Sequence, residues 1–156
     1  MVEDGVGLDV AAYSSELLVD PSGGRVFTLQ RTNALALRST SLETGERSEI
    51  SNGNLGTGPV GFDPAGPFTM DVVTDRVFVA APSLNALVAV DIRSGNRIIV
   101  SGPSTGTGPT ITPGSSAFVG DSRVLVTDSS LDAVFSVDKG VWESCSDFVT
   151  MPAIAA

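Results

Sequence analysis

The chain contains no histidine. That removes the side chain that most often serves as general base near neutral pH and as zinc ligand, so Ser-His-Asp hydrolases and histidine-ligated zinc enzymes are excluded. Its one cysteine, Cys145, can close no intrachain disulfide and has neither a second thiol nor an imidazole to activate it, so it reads as an inert thiol. Positive charge is scarce: nine Lys and Arg stand against eighteen Asp and Glu, for a formal charge of -9 at pH 7. Such a surface offers no footprint for a phosphate backbone or an anionic headgroup, and neither a nucleic acid nor a membrane partner is expected. Long apolar runs are also missing, since stretches such as Ala86 to Val90 are far shorter than the roughly 20 residues that cross a bilayer. Met1 to Gly5 show no positive n-region leading into an apolar h-region, so the expectation is a soluble, cytoplasmic protein.

What is present is enough to fold. With 156 residues, 42% hydrophobic and 17% charged, the chain can bury enough apolar surface to offset its ordering entropy in a single domain, residues 1–156.

A repeat organises that domain. Gly56-Thr57-Gly58-Pro59 returns as Gly106-Thr107-Gly108-Pro109, 50 residues on, and Gly5-Val6-Gly7 is a fainter copy. After each copy an arginine opens an apolar run: Arg25-Val26-Phe27, Arg76-Val77-Phe78 and Arg123-Val124-Leu125. Next comes Asn or Asp ahead of alternating apolar residues, at Asn33, Asn85 and Asp132. Three units result, at about 5–55, 56–105 and 106–156. In the second unit, residues 68–72, 76–81, 86–92 and 97–101 are short, rich in β-branched or aromatic residues and bounded by turn chemistry, which predicts four strands. No window carries a 3.6-residue apolar period with caps, and even the helix-like stretch from Leu8 to Leu18 is read as ending in a strand at 16–20.

Four antiparallel strands repeating at this interval predict an all-β protein, a β-propeller of four-stranded blades, in preference to a solenoid. Closed propellers typically need about 4–8 blades, so three leave apolar blade faces in water. A homodimer of two three-blade chains would complete a six-bladed ring; the alternative is that the three units belong to a longer propeller. The third unit departs from the second beyond Asp138, and its outermost strand is expected at 146–151, with Pro152 to Ala156 covering an edge or crossing to the partner.

The loops that follow outer strands and those joining second to third strands share one face of a propeller, so Asn33, Asn85, Asp132, Thr57 and Thr107 are expected to converge there as a ligand-binding rim. A structural role competes, because Asn and Asp at turns bond their own backbone. Gly56-Thr57-Gly58 is not a phosphate loop: Pro59 and further β pattern follow it where a helix N-terminus would be required. Asp91 and Asp138 sit at equivalent strand ends and read as acceptors of turn hydrogen bonds.

The segments Val79 to Asp91 and Val126 to Asp138 resemble the six-bladed propeller repeats of the gluconolactonase/SMP-30/NHL-like group, and Arg93-Ser94-Gly95 resembles the turn before its last strand. The lactonases of that group hold a divalent cation through Glu, Asn and Asp just ahead of inner strands. Here the matching positions are about Ser14-Ser15, Gly66-Pro67 and Gly114-Ser115, none of them a carboxylate or Asn. No catalytic residue, metal ligand or cofactor is therefore assigned. The reading is a non-enzymatic scaffold binding a protein or small ligand on its loop face. The alternative is a metal-dependent lactonase-like hydrolase drawing ligands from other carboxylates, Asp63 and Asp71 among them.

Overall fold

The computed structural model describes residues 17–31, 35–60, 68–114, 117–120, 123–138 and 149–151. They form three four-stranded antiparallel sheets. Blade one comprises β1 (Leu17–Asp20), β2 (Arg25–Arg31), β3 (Leu35–Ser41) and β4 (Arg47–Ser51). Blade two comprises β5 (Phe68–Asp71), β6 (Arg76–Ala81), β7 (Ala86–Asp91) and β8 (Arg97–Ser101). Blade three comprises β9 (Ala117–Gly120), β10 (Arg123–Asp128), β11 (Ala133–Asp138) and β12 (Val149–Met151). Strands follow chain order across each sheet, as a propeller blade requires. The four strands expected in unit two are found to within one residue, and β12 pairs with β11 in the outermost place, inside the expected 146–151. Pro152 to Ala156 and the start of the chain through Glu16 lie outside the described residues.

Aspartates end several of these strands for a shared local reason. Asp20 accepts hydrogen bonds from the Ser22 hydroxyl (2.6 Å) and the Gly23 amide (2.9 Å), closing the β1–β2 turn, and Arg25 bonds it from across the hairpin at 3.0 Å. Asp71 does the same for β5–β6, accepting from the Val73 amide (3.0 Å) and the Thr74 hydroxyl (2.8 Å). Asp91 accepts from the amides of Arg93 (3.1 Å) and Ser94 (2.8 Å), as expected, and Ser41 takes its place in blade one by accepting from the Glu43 and Thr44 amides. The turn after Asp138 lies outside the described residues.

Blade two is apolar on both faces because its alternation is apolar–apolar rather than apolar–polar. One face, through Phe68, Val77, Val79, Val88 and Val90, packs on Phe27, Leu29 and Leu37 of blade one. The other, through Phe78, Leu87 and Ala89, packs on Val124, Val126, Phe135 and Val137 of blade three, with Ile111 filling the seam. Successive blades thus repeat a forward face and a backward face: Phe27 and Phe78, 51 positions apart, each point toward the following blade.

Phe78 is fully buried in the seam between blades two and three, so Phe78→Ala should lower stability by about 3–5 kcal/mol in denaturant unfolding. Val73, exposed in the β5–β6 turn, should tolerate alanine within about 0.5 kcal/mol.

Candidate functional site

Two of the sequence-predicted residues occupy the same special backbone position. Asn85 (φ 48°) and Asp132 (φ 50°) each end the turn between the second and third strands of their blades in the left-handed region, which Asn and Asp tolerate better than other side chains. In blade two that turn is a short 3-10 segment, Pro82–Leu84, closed by the Asn85 amide donating to the Pro82 carbonyl at 2.9 Å. Asn33 lies outside the described residues.

Around Asn85 the structure builds a polar seam between blades two and three. The Asn85 Oδ1 accepts from the Thr112 hydroxyl at 3.0 Å, and the Thr112 amide donates to Asp128 Oδ2 at 2.6 Å. The other oxygen of Asp128 accepts from the Ser130 amide (2.8 Å), the Ser130 hydroxyl (2.6 Å) and the Leu131 amide (3.1 Å). Burial of this carboxyl, which is 1% exposed, works against its charge, but the donors around it outweigh burial and hold its pKa below the ordinary value of 3.8. Both oxygens are spent inside the chain. The group serves as a fixed anion that pins the incoming loop to blade three.

The glycine-threonine-glycine loop is placed differently from expectation. Thr57 donates through its amide (2.9 Å) and hydroxyl (3.0 Å) to Asn96 Oδ1, while its carbonyl accepts from the Arg97 amide at 2.7 Å. Asn96 lies in the β7–β8 turn, at the opposite end of β7 from Asn85, and a six-residue strand is about 17–20 Å long. Thr57 is therefore seated on the outer rim of blade two, away from Asn85. The residue that does meet Asn85 is Thr112, five positions beyond Thr107, which is itself exposed in the loop between blades two and three. The physical reason is where the backbone runs: the described part of the loop leaving β4 packs along the β7–β8 turn at the outer edge of blade two, and in the loop leaving β8 it is Thr112 whose hydroxyl reaches Asn85.

Arg97 went unread in the sequence. It is 3% exposed, and its guanidinium donates to Ser51 Oγ, to the carbonyls of Asn52 (2.7 Å) and Leu55 (2.9 Å) and to that of Gly56 (3.2 Å). Burial pulls its pKa down, yet arginine stays charged in proteins. Its positive charge is met by oxygen dipoles of a loop more than forty residues earlier, an arrangement with no local sequence signature. The only available signal was periodic: Arg47 opens β4 as Arg97 opens β8. Asp71, weighed above as a metal ligand, is 4% exposed and closes its own turn, whereas Asp63 lies outside the described residues. Among the described residues no three acidic or cysteine side chains gather closely enough to hold a metal ion.

Asp128→Asn replaces an acceptor facing the Thr112 amide with an amide group, leaving donors opposed in a buried place; it should cost about 1–3 kcal/mol at neutral pH. Asp20, Asp91 and Asp128 all titrate below their ordinary value in the folded chain. Their stabilisation is present above the unfolded carboxyl pKa and lost as pH falls through the folded one. Denaturation midpoints should therefore be level down to about pH 5 and drop below about pH 4, with the acid limb shallower in Asp128→Asn. Arg97→Lys should lose most of the clamp, about 2 kcal/mol or more, because one ammonium cannot span four oxygens.

No family model matches the chain, and no curated protein matches it in sequence. Among solved structures, a chain of a nidogen/laminin complex superposes with a TM-score of 0.61 at 15% identity, covering 81% of this chain and 43% of that one. The chain thus spans less than half the length of its structural neighbour. Together with the three sheets, this likeness establishes a β-propeller-like fold.

Proposed function

We propose that this protein is a propeller scaffold that completes its ring with a second copy of itself and binds a protein partner on the resulting loop face. The observation that carries the reading is an unequal burial of equivalent residues. Leu17 and Val19 of blade one stand 51 positions before Phe68 and Met70 of blade two. Phe68 is 6% exposed and Met70 is packed against blade one, whereas Leu17 is 72% and Val19 56% exposed. Blade one's backward face, which also carries half-buried Val26 and Thr28, is built to receive another blade and has none among the described residues. At the other end, blade three presents Leu125, Thr127 and the 39% exposed Val134, the counterparts of Phe78, Ala80 and Leu87. Pairing the second of these faces with the first, twice about a two-fold axis, closes six blades.

The loop face of that ring would carry the turns at Asn33, Asn85 and Asp132 in every blade, with Thr112 beside Asn85 and Thr107 further out in the same loop. A rim of Asn, Asp and Thr side chains presents hydrogen-bonding groups of the kind that suits recognition of a partner.

Light scattering tests the assembly. The expected particle has twice the 16.0 kDa mass of the chain, and Leu17→Glu with Val19→Glu should halve it while leaving the β-sheet circular dichroism intact. A wild-type particle of single-chain mass at micromolar concentration refutes the shared ring. A stoichiometric divalent ion in the purified protein would turn the reading to the lactonase-like alternative.

A further inference from the structure

One carboxylate links blades one and two at the strand ends where the β5–β6 and β7–β8 turns lie. Asp75 closes the β5–β6 turn in the left-handed region, at φ 52°. Its Oδ2 accepts from Arg93 of the β7–β8 turn at 2.6 Å, and its Oδ1 lies 3.8 Å from Nη2 of Arg25 in blade one. Arg25 meanwhile holds Asp20 of its own blade at 3.0 Å. Five N–H donors in a planar fork let one guanidinium serve both. The junction is thus a string of three charges: positive from blade one, then negative and positive from blade two.

The repeat places a different string where blade three would meet blade one of a second copy. The turns correspond bond for bond. The Leu42 amide donates to the Gly24 carbonyl at 2.8 Å as the Ile92 amide does to that of Asp75 at 3.0 Å, and the Gly45 amide donates to the Ser41 carbonyl as the Gly95 amide does to that of Asp91. Gly24 (φ 59°) therefore stands where Asp75 does, and Glu43 where Arg93 does. A Cβ on Gly24 would meet nothing within 4 Å. On the other side of the seam, register puts Arg123 opposite Asp138 as Arg25 is opposite Ser41, which makes Arg123 the counterpart of Arg25 on the forward face of blade three. Its cross-strand neighbour Asp138 can occupy only part of its donor fork, as Asp20 does with Arg25. Arg123 and Glu43 are both exposed. Here the middle carboxylate is gone and the outer arginine has become a carboxylate, so the string runs positive, neutral, negative. An arginine at position 43, as at 93, would set two like charges across the seam without the carboxylate that Asp75 supplies between Arg25 and Arg93.

We propose that Arg123 of one copy pairs with Glu43 of the other across both seams of the ring, fixing which blade face meets which. The pairing rests on the shared ring, and sedimentation of the full chain over a dilution series tests it. Glu43→Arg, which gives blade one the residue that blade two already carries at that turn position, and Arg123→Glu should each weaken dimerisation about tenfold, since every dimer loses two attractive pairs and gains two repulsive ones. Mixing the two variants should restore the wild-type affinity to within about threefold, because both seams of a mixed dimer then join opposite charges. A defect internal to one chain is not repaired by mixing. Single variants that dimerise like the wild type, or a mixture that stays weak, overturn the pair and leave the ring standing; a wild-type chain that never dimerises overturns both. Should Arg123→Glu lose its β-sheet circular dichroism, Arg123→Gln and Glu43→Gln decide instead: the double variant should lose no more affinity than either single one, and additive losses overturn the proposal.

Discussion

A sheet that is apolar on both sides can exist in water only between two others, and that constraint governs this molecule. β6 and β7 leave no face for solvent: Val77, Val79, Val88 and Val90 look one way and Phe78, Leu87 and Ala89 the other, all essentially buried. Each valine, leucine and phenylalanine among them is worth about 1.5–3 kcal/mol when removed from water. The middle blade can therefore be satisfied only in a row, and the row's ends inherit the problem that its centre has solved. The exposure of Leu17 and Val19 is that inherited problem made visible.

Polar groups then fix how the blades meet. The strand-ending aspartates organise turns within a blade, while Arg97 and Asp128 act between blades, each joining a loop to the blade that follows. Their chemistry is opposite and their task alike. Arg97 gathers the oxygens of the 51–56 loop, and Asp128 captures the Thr112 amide of the next loop. Asp75 adds a third link, with Arg93 of its own blade at 2.6 Å and Arg25 of blade one at 3.8 Å. Apolar burial drives the stacking without direction; these contacts give it a register.

Much of this was legible in the sequence because the repeat is regular. Strand positions in unit two followed from alternation bounded by turn residues, and the turn roles of Asp91 and Asn85 followed from their place beside strand ends. The placement of Thr57 and the burial of Arg97 were not legible. Both depend on where a loop of irregular backbone runs between two sheets, and the partners of Arg97 are mostly main-chain carbonyls, which every residue has. Thr112 was missed for a related reason: nothing marks it locally, and only the folded loop brings its hydroxyl to Asn85.

One small irregularity recurs in the first two blades. The pairing of the third and fourth strands slips once in blade one, just after Leu37, and once in blade two, just after Leu87, the same place in each. A bulge sharpens local twist and swings the outer strand aside. The slip swings the outer strands of blades one and two aside alike, whereas the described pairing of β11 with β12 in blade three runs without one, so the third wedge carries a straighter outer edge than the two before it.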